Sequence, residues 1–417
     1  MSRLIYFIGS TEEAIAMQVL EAIVTDSPSR ATPPTGFYNL RIRTSNAGQG
    51  TRFSDASVYL RLIDDFRNAV RTHFEFGRPR CEMVFLGDIL KVSVFRAFVL
   101  DGLKGLMKYT DSIQKAFLTL MEFLHEKRKH GRSIRNLMTT IPASGNKEAK
   151  TIAALALHLF SELVADKKYE VDENVKEISR VCDCGCNARI CIGNTSIGSQ
   201  RTWHGSVNIL VDGNIAVAVK EKTNALEEDN CTDEDEPEIK HGRIDEDVLH
   251  KDVSTTNNEC ILLDETYMSR FIAESVTNGF AQVNMNRDTL TNFMIPTFGA
   301  TSRHVSICLY DSENDYLLHI KDILELWYPD EEGPVGELNN TTIALLWIFL
   351  NFTLFTRKHV CASVDLDKSG LHEELKEQLE CYRKIKTKSC ISSKTNFESV
   401  WKLFEPVVKR PKGQVQE

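Results

Sequence analysis

Trp203-His204-Gly205-Ser206-Val207-Asn208-Ile209-Leu210-Val211-Asp212-Gly213-Asn214-Ile215-Ala216-Val217-Ala218-Val219-Lys220 consists of two apolar runs joined by a polar junction. Both central positions of a type I′ turn require positive φ, which Asp and Gly tolerate, so Asp212-Gly213 predicts a tight hairpin. The β-branched residues on either side suit a buried or half-buried antiparallel pair. Alternate residues of a strand share a face, so Ser206, Asn208 and Leu210 project together, as do Ala216, Ala218 and Lys220. Asn208 and Lys220 are therefore expected to converge on one face of the hairpin.

This pattern resembles the core of the PD-(D/E)XK, or restriction-endonuclease-like, nuclease superfamily. There a first strand carries an Asp, and a hairpin later the second strand carries an acid, one spacer and a Lys. Two carboxylates hold a divalent metal against the scissile phosphate, and the lysine orients or activates the attacking water. Here Asn208 stands at the Asp position, Ala218 at the acid position, and Lys220 alone matches. Asn keeps an oxygen but removes the charge that holds a hard cation, while Ala offers no ligand.

The resemblance covers about residues 147–311 and rests on the order helix, hairpin, helix, strand. It implies a Glu on the helix before the hairpin, matched by Glu162, and a polar residue on the helix after it. Gln282 fits that second role, with Glu274 and Asn278 as alternatives on the same helix. Lys220, Asn208, Glu162 and Gln282 are thus the vestigial catalytic candidates. Asp212 and Glu221 are the acids that could substitute as metal ligands, although Asp212 belongs to the turn and Glu221 should point opposite Lys220. A degenerate site needs no cofactor; an active one implies Mg²⁺.

Composition frames these readings. The chain has 417 residues, 42% of them hydrophobic, enough to build a sizeable core. A formal net charge of -9 argues against a dedicated nucleic-acid coat, while leaving room for a local basic channel. Eleven cysteines without a secretory h-region read as reduced thiols of an intracellular protein, cytoplasmic or nuclear. The longest apolar segment, Thr341 to Phe355, is too short for a membrane span and contains Asn351, which predicts a buried helix instead.

Along the chain, Ser10-Thr11-Glu12-Glu13 resembles a capping box opening a helix to about Val24. Residues 27–50 read as a turn-rich connection, residues 55–73 as an amphipathic helix, and Asp111 to Gly131 as another. The latter ends in the basic cluster His125-Glu126-Lys127-Arg128-Lys129-His130-Gly131-Arg132, which complements a helix dipole or binds phosphate. Lys147 to Asp166 predicts a helix, and residues 266–282 another. His204, at the start of the hairpin, reads as structural, with general base or metal ligand as alternatives.

Cys182, Cys184 and Cys186, with Cys191 nearby, raise the question of zinc, since closely spaced thiolates can bind it. The spacing lacks paired Cys-x-x-Cys knuckles, so reduced structural thiols are the expectation. The fold expected is α/β: a central mixed sheet flanked by helices. A mostly helical N-terminal region spans 1–140 and a nuclease-like core 141–360, with a disordered acidic insertion at 226–250. A helical C-terminal tail spans 361–417, including a short helix near 397–404. The function expected is that of a catalytically degenerate nuclease-fold protein, a pseudoenzyme that binds nucleic acid or a protein partner, away from membranes. An active metal-dependent nuclease with substituted acids and a protein-interaction scaffold are the alternatives.

Overall fold

Asp212 and Gly213 adopt positive φ values of 49° and 71°, and the Asn214 N–H donates to Val211 O at 3.0 Å, so the hairpin turn closes as its residues predict. The computed structural model describes residues 7–24, 36–60, 83–139, 146–221, 261–290, 292–328, 336–360, 364 and 366–389. The acidic run at 226–250, the short helix near 397–404 and most of the helix expected over 55–73 lie outside these residues.

The hairpin sits inside a ten-stranded sheet. In chain order its strands are β1 (Gly36–Asn39), β2 (Met83–Phe85), β3 (Tyr169–Asp172), β4 (Ile192–Gly193), β5 (Ile209–Val211), β6 (Ile215–Val219), β7 (Met294–Ala300), β8 (His304–Asp311), β9 (Tyr316–Ile320) and β10 (Leu324–Glu325). The order across the sheet is β2-β1-β9-β8-β7-β6-β5-β3-β4, with β10 on β8. Pairing is antiparallel except for β6 with β7 and β3 with β4. The longer helices among the described residues are α1 (Thr11–Val24), α2 (Val92–Gly105), α3 (Asp111–Thr139), α4 (Lys147–Leu155), α5 (Glu265–Asn286) and α6 (Asn340–Leu350). The protein is therefore mixed α/β, with helices flanking a mixed central sheet.

Alternation along the strands sorts side chains into two cores. Ile209, Val211, Ile215, Val217 and Val219 face one cluster, with Phe117, Ile152 and Trp347 from α3, α4 and α6. Leu210, Ala216 and Ala218 face the other, against Tyr267, Phe271 and Phe280 of α5. Burial on both faces explains why β5 and β6 read as continuous apolar runs rather than alternating ones. Parallel β6 and β7 need a crossover, and α5 lies in sequence between them. Its first turn is fixed by Asp264, whose Oδ1 accepts the Tyr267 N–H at 3.0 Å. The expected buried helix is α6, where Trp347 packs 4.9 Å from Phe117 between ring centroids and donates Nε1–H to Ala116 O.

Several local expectations are corrected. Residues 36–39 and 42–45, placed in a turn-rich connection, are strands; Gly36–Asn39 joins the main sheet beside Tyr316–Ile320, and Ile42–Ser45 pairs with Val58–Leu60. Val58–Leu60 is thus a strand, not the start of a helix, and its Val58 N–H is held by Ser269 Oγ of α5. Glu13 does not return to its own cap: it is buried and accepts the N–H groups of Gly9 and Leu103 at 2.5 and 2.6 Å. Helix α3 continues eight residues beyond Gly131, where a Cβ would stand 3.5 Å from Leu338 Cγ. That is ordinary contact distance, and packing against Leu338 and Trp327 offsets the low helix propensity of glycine.

Candidate functional site

Asn208 immediately precedes β5, and its side chain faces α5. Its Oδ1 accepts the Val219 N–H at 2.8 Å, which ties the hairpin together where regular pairing stops. The same oxygen accepts from Arg270 Nη2 at 3.3 Å. Arg270 Nε in turn donates to Glu274 Oε1 at 2.7 Å, one helical turn along α5. Glu274 is fully buried and its Oε2 has no hydrogen-bond partner. The Glu274 carboxylate raises the proton affinity of Arg270, while burial pushes the Glu274 carboxyl up. Ala218, opposite Asn208, is fully buried, and its carbonyl accepts from Tyr267 Oη at 3.1 Å.

Lys220 leaves the end of β6 with its Nζ 3.6 Å from Glu148 Oε2, in the first turn of α4. Glu221 also meets α4, through different residues. It is buried, with Oε2 3.1 Å from Lys147 Nζ, and Oε1 accepts from Thr151 Oγ1 at 3.2 Å and from Ser302 N–H at 2.6 Å. Three donors satisfy this carboxylate, so it braces α4 against the end of the sheet. The first turn of α4 thereby supplies a partner to each of the two residues that end the strand.

The structure brings together Asn208, Arg270 and Glu274, and separately Lys220 with Glu148; it does not bring in the other sequence candidates. Glu162 is a correction: it pairs with Lys167 in a 3₁₀ turn after α4, and the acid that meets Lys220 is Glu148, at the opposite end of that helical run. Gln282 is a second correction, since its Nε2 donates to Gly213 O and Asn278 Oδ1 at the turn end of the hairpin, away from the β6 terminus. Asp212 occupies the same turn, and burial with nearby Asp166 pushes its carboxyl up to about 6. His204 Nδ1 lies 3.0 Å from Thr202 O beside a buried Trp203, a structural setting. Arg270 escaped sequence reasoning because nothing local distinguishes it from a surface arginine; its spacing to Glu274, i to i+4, was the available sign.

A second constellation lies on the far side of α4. The helix passes into a π turn, Ala156–Phe160, which carries His158. His158 Nε2 lies 3.2 Å from Cys182 Sγ, 3.3 Å from Cys184 Sγ and 3.9 Å from Cys186 Sγ. The four ligand atoms lie within 4.8 Å of one another. The cysteines lie on a turn around Gly185. Val181 and Arg189 form an isolated bridge, the Cys182 N–H donates to Ala188 O, and Gly185 and Asn187 take positive φ in the turn between. Curling of that loop aims three sulfurs at one nitrogen, and Cys191 stands apart, its N–H held by Tyr169 Oη.

Burial, then the charge of nearby His130, lowers His158 to about 4, so the imidazole is neutral at neutral pH. Burial raises the Cys182 thiol, whereas hydrogen bonding that includes Ser133 brings Cys184 below the usual thiol range despite its own burial. A set of one imidazole and three sulfurs suits a soft or borderline divalent metal rather than Mg²⁺. The expectation of no cofactor does not fit this cluster of one histidine and three cysteines, which could hold a metal ion.

The basic cluster of α3 lies within the helix rather than at its C-terminus, so dipole complementation is not its role. Lys127 and Arg128 pair with Glu337, Lys129 with Glu126, and Arg135 donates to Gly336 O while lying over Trp327. Among the described residues no helix is long and apolar enough to cross a membrane. No family model matches the chain, and neither the curated proteins nor the solved structures include a match.

Proposed function

We propose that this chain is a catalytically degenerate nuclease-fold protein whose hairpin end serves as a binding or regulatory module for nucleic acid or a protein partner. The observation that carries the reading is the guanidinium of Arg270 on Asn208 Oδ1. Where the resemblance calls for a metal-binding carboxylate, this chain has a neutral amide already engaged by a fixed cation, and the second acid position is a buried Ala218. A divalent ion there would meet one neutral oxygen and a positive charge at close range, which is unfavourable by both ligand count and Coulomb repulsion. The run α4, β3, β4, β5, β6, α5, β7 supports the reading, since it contains in sequence the helix, hairpin, helix and strand on which the resemblance rests.

The acids offered as substitutes support it further. Glu221 is saturated by Lys147, Thr151 and Ser302, Glu162 pairs with Lys167, and Asp212 lies in the hairpin turn. What remains at the hairpin end is Lys220 beside Glu148, a partly exposed pair able to exchange its internal partner for a phosphate or a carboxylate.

The test combines cleavage and binding by the purified chain. Single- and double-stranded DNA and RNA are incubated with Mg²⁺ or Mn²⁺, and no cleavage is expected; metal-dependent cleavage abolished by Lys220→Ala would refute the proposal. Binding is then followed against salt: affinity falling steeply with salt identifies a nucleic-acid ligand, whereas a flat response with a tight protein partner identifies the regulatory alternative.

A further inference from the structure

We propose that His158 Nε2 and the thiolates of Cys182, Cys184 and Cys186 bind one structural Zn²⁺ ion, which fixes the cysteine loop to the end of the α4 run. Tetrahedral zinc with Zn–S of about 2.3 Å and Zn–N of about 2.0 Å places nitrogen and sulfur about 3.5 Å apart. The three nitrogen to sulfur distances, 3.2, 3.3 and 3.9 Å, bracket that value.

An imidazole ring nitrogen carries either one proton or one lone pair, so it can hydrogen bond in full to one sulfur, not three. Three sulfurs gathered about one nitrogen gain far more from a shared cation than from that single weak bond. Four protein ligands also close the coordination shell, which is the arrangement of a structural zinc site rather than a catalytic one. The absence of any carboxylate or amide oxygen from the set disfavours Mg²⁺ and Ca²⁺.

A regular helix is widened to a π turn where His158 sits, and the loop from Cys182 to Cys186 bends through positive φ at Gly185. Irregular turns of this kind cluster at functional sites, and here both irregular segments carry the ligands. The ion would also tie the two candidate sites together. His158 lies ten residues after Glu148 on one continuous helical run, so anchoring its far end steadies the turn that faces Lys220.

The full-length chain, purified under reducing conditions without added chelator, should carry about one zinc per molecule by elemental mass spectrometry. Replacement by Co²⁺ should give intense visible d–d bands and a near-ultraviolet thiolate charge-transfer band. Cys186 is exposed, so Cys186→Ser tests the site with little risk to folding; it and His158→Gln should each weaken zinc binding at least about 100-fold. Cys191→Ser, on a neighbouring exposed cysteine, should leave zinc content unchanged. Folded protein that carries no zinc and takes up none, a cobalt form without thiolate bands, or zinc retained unchanged in both ligand variants overturns the proposal. A disulfide among Cys182, Cys184 and Cys186 under the same reducing conditions does so as well.

Discussion

Arg270 Nη2 donates to Asn208 Oδ1 across 3.3 Å, placing a permanent cation on the first side-chain oxygen of the hairpin. Arg270 cannot be neutralised in the accessible pH range, so it differs from a bound metal in being neither exchangeable nor a Lewis acid. Restoring a carboxylate at position 208 should therefore strengthen the bond to Arg270 rather than create a metal site. Asn208→Asp is expected to stay within about 1 kcal/mol of the parent in stability and to show no Mg²⁺ binding at millimolar concentration by calorimetry. Stoichiometric Mg²⁺ uptake by this variant would contradict the assignment.

Glu274 is buried and Arg270 half-buried, and removal of the arginine leaves the buried carboxylate without compensation. Arg270→Met should destabilise the protein by about 3–5 kcal/mol in denaturant unfolding. Adding Glu274→Gln to that variant should recover at least half of the loss, because the stranded carboxylate is then gone. Equal stability of the single and double variants would show that packing, not charge, dominates at α5.

Lys220 and Glu148 are both partly exposed, and their contact is a long one. Lys220→Ala should cost less than about 1 kcal/mol in thermal or denaturant unfolding. Loss of ligand binding in this variant can then be assigned to the side chain rather than to unfolding. A larger loss would mean that the pair is structural.

Asp212 combines a turn position suited to Asn with a carboxyl held up at about 6. An ordinary Asp titrates near 4, so the folded state binds the proton more tightly than the unfolded chain. The ionised group therefore costs nothing below about pH 4, costs increasingly between 4 and 6, and costs fully above 6. Asp212→Asn should stabilise the protein by about 1–2 kcal/mol at pH 7.5, with the gain vanishing below pH 4. A gain independent of pH would assign the effect to turn geometry alone.

His319 is buried in β9, with Nε2 2.8 Å from Ser306 Oγ of β8, and burial lowers it to about 4. The unfolded chain protonates near 6.5, so its histidine captures the proton first as pH falls. Stability from the neutral imidazole is present above pH 6.5 and is lost progressively down to about pH 4, by a total approaching 3 kcal/mol. His319→Gln, which keeps a partner for Ser306, should flatten that part of the pH dependence of unfolding. An unchanged acid limb in the variant would place the sensitivity elsewhere.

The hairpin and the buried α6 were legible because each depends on nearby residues. Asp212-Gly213 has the conformational freedom a tight turn requires, and Ile343 to Leu350 is apolar throughout. Mixed α/β class followed as well, since apolar runs of strand length alternate with runs of helical period. Helix α3 was less legible: Gly131 resembles a stop until Leu338 and Trp327, distant in sequence, are seen packed against it.

Sequence by itself determined the turn, the apolar strands of the hairpin and the lack of carboxylates at positions 208 and 218. Tertiary structure alone decided which groups those positions meet. Glu148 rather than Glu162 reaches Lys220 because the first turn of α4, not its far end, abuts the end of β6. Arg270 reaches Asn208 only through the packing of α5 on the sheet, and His158 joins the cysteines only because a curled loop returns to the π turn. Turn chemistry acts over a few bonds, whereas a site is assembled by burial of surfaces that the chain brings together from far apart.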